Sequence, residues 1–159
     1  MSAPDELASN SEAQRSARTL GVDDALSFAQ RQVRRLVTEA PDRVATFTRN
    51  GRWVFEADPW APSWTGGFFA GMMWAFADIT EDSWWVDQAD RYTRSLEDRK
   101  KDTSTHDVGF VFEPSWGRRY DRDGNAHARE VLTEAGRTMA GRLQEAGGYL
   151  RTWVDAGST

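Results

Sequence analysis

The sequence predicts an all-α fold built from helical hairpins. Apolar residues recur at helical spacing in three separate stretches, and a fourth stretch is apolar on every side. An apolar inner segment followed by a one-sided outer segment then repeats after about 40 residues, the period of a helical-hairpin array.

Residues 1–19 are small, polar and mixed in charge, so they are expected to form a disordered N-terminal leader, with one domain over 20–159. Val22, Ala25, Leu26, Ala29, Val33, Leu36 and Val37 recur at helical spacing with Arg31, Gln32, Arg34 and Arg35 between them. Pro41 ends this amphipathic surface helix. Phe68, Phe69, Met72, Met73, Trp74, Phe76 and Ala77 leave almost no polar face and predict an inner helix. Gly66, Gly67, Ala70 and Gly71 permit close approach to it. After a turn at Thr80-Glu81-Asp82-Ser83, Trp85, Ala89, Tyr92 and Leu96 mark an outer helix whose other face carries Asp87, Asp90, Arg91 and Arg94.

The order then repeats. Val108 to Tyr120 is a second inner segment, Asp121-Arg122-Asp123-Gly124 turns, and Ala128, Val131, Leu132, Ala135 and Met139 form another outer helix. Pro114 lacks an N–H and crowds the preceding turn, at a cost of roughly 3 kcal/mol inside a regular helix, so a kink or restart is expected there. Gly147 to Thr159 has loop chemistry. About two and a half hairpins result. Because each hairpin buries its inner face only against neighbours, the array reads as the N-terminal piece of a larger closed structure.

Composition narrows the function. A net charge of −5 argues against nucleic acid as a partner, since phosphate binding needs a basic face. The basic run Arg99-Lys100-Lys101 is bracketed by Glu97, Asp98 and Asp102 and reads as a solvated helix end. The absence of cysteine removes thiolate nucleophiles and cysteine zinc sites. Met1 to Ser16 has no apolar signal-peptide core, and Phe68 to Ala77 is too short to span a bilayer, so no membrane association and a cytoplasmic location are expected.

The chemistry concentrates in the loops that lead into the two inner segments, Pro59 to Gly67 and Asp102 to Asp107. The first carries Trp60 and Trp64; the second carries His106 and Asp107. Ser104 or Thr105 can cap the helix that follows, and Asp107, read into its first turn, faces the positive end of the helix dipole. Helix stability alone also accounts for an Asp there. Indole platforms beside a carboxylate, however, suit a carbohydrate, whose flat sugar face stacks on an aromatic ring. A metal site is not expected, because the one other imidazole, His127, sits on an outer helix.

Trp64-Thr65-Gly66-Gly67-Phe68 followed by Gly71-Met72, then Asp102 through Phe110 with its Ser-Thr-His-Asp-x-Gly-Phe string, and finally Gly148-Tyr149-Leu150-Arg151-Thr152-Trp153 resemble glycoside hydrolase family 88, the unsaturated glucuronyl hydrolases. The resemblance covers residues 22 to 153. Phe69-Ala70 departs from it, standing where the family more often has Trp-Pro. The resemblance implies an (α/α)6 toroid of six helical hairpins. Its substrates are lyase-generated oligosaccharides that carry an unsaturated uronic acid at the non-reducing end.

In such enzymes water adds across the C4–C5 double bond, with no metal or organic cofactor. The resemblance makes Asp107 a catalytic carboxylate, described either as nucleophile or as the group that holds the sugar hydroxyls. It puts His106 beside Asp107, and Trp64 and Trp153 along the sugar. The partner acid and base lies, in the family order, beyond Thr159. Within the chain, Glu113 is six residues on from Asp107, about 240° around a helix, and is expected to point elsewhere; Asp102 and Asp155 stay open. The isolated chain, lacking the C-terminal half of the toroid, is therefore expected to be catalytically incomplete. Unsaturated rhamnogalacturonyl hydrolases share the frame and are the nearest rival. A non-catalytic helical-repeat binder of glycan or peptide, with Asp107 as a mere cap, is the alternative of another class.

Overall fold

A computed structural model describes the backbone of residues 4–55 and 64–152, with side chains from residue 21 onward. The chain divides into two compact units, Met1–Pro41 and Asp42–Thr159. The first holds a single helix, α1 (Pro4–Glu39), on which Val33, Leu36 and Val37 share one face and Arg35 pairs with Glu39 at 2.7 Å. Its backbone is helical from Pro4, within the stretch expected to be an unstructured leader. Residues 5–18 are rich in Glu, Ala, Gln and Arg, which extend a helix nucleated further along the chain.

The second unit opens with a β-hairpin, β1 (Ala45–Arg49) and β2 (Arg52–Phe55), an addition to the all-α expectation. Arg49 pairs with Arg52 and Thr48 with Trp53 around Asn50 and Gly51, whose φ angles of 51° and 72° make the tight turn that matches strand twist. Asn-Gly between two β-prone runs is the short-range signal for this hairpin.

The inner helix α2 (Thr65–Thr80) and outer helix α3 (Ser83–Ser95) form the first hairpin. Glu81, in the left-handed region at φ 55°, closes α2, and the Asp82 carboxylate caps α3 by accepting from the Trp84 N–H at 2.9 Å. Trp85, Ala89, Tyr92 and Thr93 are the buried stripe of α3, against which α2 lays Phe69 and Phe76. The Trp74 indole N–H donates to Thr93 Oγ1 at 2.9 Å, satisfying both polar groups inside this core. Each buried indole removes roughly 200 Å² from water, on the order of 5 kcal/mol before the cost of ordering it.

Gly67 and Gly71, one turn apart on α2, set the approach of the second inner segment. A Cβ on Gly67 would lie 2.2 Å from the Phe110 carbonyl oxygen and 2.4 Å from that of Val111, and one on Gly71 would lie 2.9 Å from Pro114. That segment is α4 (Val108–Phe112), a π-helical turn (Glu113–Gly117) and α5 (Arg118–Asp123), so the interruption expected at Pro114 is a widened turn. In a regular helix the Phe110 carbonyl would accept from residue 114. Proline offers it no N–H, the turn opens, and the carbonyl packs over Gly67. Ser115 Oγ donates to the Val111 carbonyl at 2.6 Å within the buried turn.

The outer helix α6 (Ala126–Ala140) is capped by Asn125, which accepts from the Ala128 N–H at 3.0 Å, and buries Ala128, Val131 and Ala135. After it, β3 (Leu143–Gln144) and β4 (Tyr149–Leu150) make a second small hairpin, partly within the stretch read as loop. Phe68, Met72, Ala75 and Ile79 form a stripe of exposed apolar residues along α2, so this inner helix is covered on one side only.

The basic run proves to be paired with acids. Arg99 meets Asp102 at 3.1 Å, Lys100 meets Glu97 at 2.9 Å and Glu134 at 3.4 Å, and Lys101 meets Glu134 at 3.5 Å. His127 Nε2 lies 3.0 Å from the other Glu97 oxygen. Burial tends to raise the Glu97 pKa, but hydrogen bonds from His127 and Lys100 outweigh it and hold the carboxyl below its ordinary value of 4.5. A carboxyl with a depressed folded-state pKa contributes stability that is full above 4.5 and is lost as pH falls through the folded value. Glu97→Gln is therefore expected to flatten the acid side of the pH–stability curve below 4.5, measured by urea unfolding at stepped pH. An unchanged acid limb would refute this role for the network.

Candidate functional site

The loop from Asp102 to Asp107 is organised by its own short side chains. Asp102 Oδ1 accepts from the Ser104 N–H at 2.9 Å and the Ser104 hydroxyl at 2.5 Å, while Oδ2 faces Arg99. Burial raises the Asp102 pKa, but the Ser104 bonds and Arg99 outweigh it and leave the carboxyl below its usual range. Thr105 Oγ1 accepts from the Asp107 N–H at 3.0 Å and lies 3.1 Å from Asp107 Oδ2, to which its hydroxyl donates. Asp107 itself occupies the cap position of α4, one residue before the first turn where the sequence pattern put it, and its side chain caps nothing. Thr105 closes a local turn before the helix, its hydroxyl oxygen accepting from the N–H of the cap residue Asp107. Ser104 is spent on Asp102.

His106 Nε2 lies 3.4 Å from Asp107 Oδ1, with side-chain exposures of 27% for the imidazole and 16% for the carboxylate. Both are held by protein on one side and remain reachable from the other. Thr105 fixes the carboxylate's rotamer, so a ligand meets a preset acceptor rather than one it must first order.

Trp64 stands at the start of α2, close to half exposed. Its ring meets Phe68 edge-on at 5.8 Å and Phe110 at 5.7 Å, and the two phenyl rings lie 5.8 Å apart. The entrances of the two inner helices are thus neighbours, and Phe110, three residues on from Asp107, joins Trp64 directly. An open groove of about 770 Å³ continues from this cluster and is lined by Phe68, His106, Phe110, Glu113, Pro114 and Arg118 among others. Glu113, which helix arithmetic turned away from Asp107, lines the same groove as His106. The Glu113 N–H still donates to the Gly109 carbonyl, so the helical phase is regular up to that residue, and the groove is broad enough to run along both turns.

Trp153 and Trp60 lie outside the described residues. What leads to Trp153 is described as far as Thr152, and a residue that the sequence did not single out holds it. The Arg142 guanidinium donates from Nε to the Arg151 carbonyl at 2.7 Å, from Nη2 to the Thr152 carbonyl at 2.7 Å and from Nη1 to the Thr103 carbonyl at 2.5 Å. Phe68 and Phe110 were also missed as site residues, because inner-helix apolar positions read as core. Their signal is the glycine pattern: Gly67 and Gly71 draw the adjacent face of α2 against α4 and leave Phe68 beside the contact. Among the described residues no group of three His, Asp or Glu side chains is placed to hold a metal ion, and no helix is long and apolar enough to cross a membrane.

No protein-family model matches the chain. Among curated proteins it is 33% identical over 91 residues to an unsaturated glucuronyl hydrolase of Formosa agariphila, a match over 57% of this chain and 23% of that protein. It is 31% identical over 97 residues to an unsaturated chondroitin disaccharide hydrolase of Streptococcus pneumoniae, covering 59% and 24%. The chain therefore spans about a quarter of the length of these relatives. Among solved structures, an unsaturated glucuronyl hydrolase of Streptococcus agalactiae superposes with a TM-score of 0.76 at 24% identity, over 86% of this chain and 34% of that one. An unsaturated glucuronyl hydrolase specific for heparin gives 0.71 at 26% identity, over 85% and 37%. Over the stretch they share, this chain is a partial homologue of the unsaturated glucuronyl hydrolases of glycoside hydrolase family 88, and its helices match part of their (α/α)6 toroid.

Proposed function

We propose that this chain supplies one wall of a site that binds an unsaturated uronic acid at the non-reducing end of a lyase-generated oligosaccharide, for hydration of its C4–C5 double bond. One observation carries the reading: a carboxylate with a preset rotamer, Asp107, stands beside His106 at the entrance of a helix whose Phe110 ring meets the exposed Trp64 at a tilt. The relatives, an unsaturated glucuronyl hydrolase and an unsaturated chondroitin disaccharide hydrolase, support such a substrate. In this reading Trp64 and Trp153 line the sugar, and Asp107 accepts hydrogen bonds from its hydroxyls or acts as nucleophile, with His106 beside it. No cofactor takes part.

Hydration gives C4 a proton and C5 a hydroxyl; the resulting hemiketal opens and releases the saturated partner sugar. One group must give the C4 proton and take one from water, the work of a second carboxylate. We assign that group to sequence outside this chain and read the isolated 159-residue chain as catalytically incomplete. The exposed stripe of Phe68, Met72, Ala75 and Ile79 supports this, since an inner helix of a closed array is covered on both sides.

The test is titration of the chain with unsaturated glucuronyl and unsaturated rhamnogalacturonyl disaccharides, followed by calorimetry and by the ultraviolet absorbance of the double bond. The expected result is binding of the glucuronyl sugar with no fall in absorbance. A falling absorbance would overturn the incompleteness, preference for the rhamnogalacturonyl sugar would move the substrate class, and absence of binding to both would overturn the site.

A further inference from the structure

Arg142 is 5% exposed, yet it follows α6 in a stretch whose neighbours Gly141 and Leu143 are open to solvent. A buried guanidinium is costly unless its donors are engaged. Among the described residues its side-chain partners are three backbone carbonyls and no carboxylate. Two of them, on Arg151 and Thr152, belong to the segment that runs into Trp153; the third, on Thr103, opens the loop that carries His106 and Asp107. The Arg142 backbone joins the same arrangement, its carbonyl accepting from the Arg151 N–H at 3.1 Å and from the Gln144 side chain at 3.2 Å. No pair of ordinary backbone bonds ties residues 103 and 152 to each other among those described. The planar fork of one side chain does it, with two donors on one segment and one on the other.

We infer that Arg142 is a positioning residue: it holds the His106-Asp107 loop and the segment that ends at Thr152 at a set separation, so that the Asp107 carboxylate keeps its place toward the sugar. The geometry of the tie stands on its own, and its consequence for the sugar rests on the function proposed above. Arg142 does not itself touch substrate. Its isolation from carboxylates marks it as a spacer between two backbones, because an arginine kept for charge balance would face an acid.

The test uses the 159-residue chain as Arg142→Lys and Arg142→Met. Lysine keeps the charge and can donate to the carbonyls of one segment but cannot span two; methionine fills the volume with no donor. Hydrogen exchange read by mass spectrometry is expected to rise about tenfold or more at residues 103–107 and 150–152 in both variants, with α2 and α3 unchanged, as the loss of charge-assisted bonds to one locale requires. The two histidines provide a second reading. The His106 ring resonance should move and that of His127, on the outer helix, should not, whereas general loosening moves both. Unsaturated chondroitin-type disaccharide should bind at least about tenfold more weakly to both variants.

Unchanged exchange at both segments would overturn the inference, and so would loss of protection spread evenly over α2 and α3 in the lysine variant. If the unaltered chain binds no disaccharide while exchange rises locally as described, the proposed function fails and the tie between the two segments stands.

Discussion

Gly67→Ala is expected to cost about 3 kcal/mol or more, a large share of the stability of a domain this size. The added methyl would lie 2.2 and 2.4 Å from two backbone carbonyl oxygens and 2.7 Å from the Val111 Cα. Backbone cannot rotate aside as a side chain can, so α2 and α4 must separate. The Pro114 turn, which packs on Gly71 one turn further along, prevents them from doing so by simple tilting. Separation would also part Phe110 from Trp64, so the ring contact at the site should fail together with stability. Gly109→Ala is the control, since nothing lies within 4 Å of a Cβ there. Relief of glycine's helix penalty should make that variant more stable by about 0.5–1 kcal/mol. Urea unfolding of the two variants beside the parent gives both numbers, and a Gly67→Ala chain as stable as the parent would show that α2 and α4 do not pack here.

Asp107→Asn should leave the fold intact and remove the function. The Asp107 side chain makes no cap bond to the helix, and the Thr105 backbone bond does not depend on that side chain's charge. The melting midpoint is therefore expected to stay close to that of the parent. What disappears is an anionic acceptor beside His106. In an enzyme that carries this stretch within a whole toroid, hydration should fall about 10²–10⁴-fold, the range for a positioned acid–base or electrostatic group. In the present chain, disaccharide binding should weaken about tenfold or more, because hydrogen bonds to a charged acceptor are the stronger kind. Full activity of the asparagine variant in the larger enzyme would overturn the role proposed for Asp107.

Much of the frame is legible along the chain because it depends on period and punctuation. The outer helices show their buried stripes at Trp85, Ala89 and Tyr92 and at Ala128, Val131 and Ala135, positions that follow from helical spacing alone. The break at Pro114 follows from one missing N–H. The β-hairpin around Asn50-Gly51 was legible too, from a turn dipeptide that the helical pattern on either side overshadowed. The Ser-Thr-His-Asp-x-Gly-Phe string pointed to the loop that the structure organises around Asp102 and Thr105. The exact position of Asp107 was not legible, because Ser104 and Thr105 were equivalent candidates to cap the helix. Only their neighbours decide which one bonds to Asp107.

Beyond residue 21, the sequence by itself determined which segments are helical, which faces are apolar and which loops carry the carboxylate, the imidazole and the indoles, since each of these is a property of residues within about one turn of one another. Tertiary structure decided the rest: that Gly67 lies under the Phe110 carbonyl, that Phe68 and Phe110 are an aromatic shelf rather than core, and that Arg142 reaches carbonyls on two distant segments. These are contacts between residues roughly 10 to 45 positions apart, for which no local energetic preference exists until the hairpins are packed.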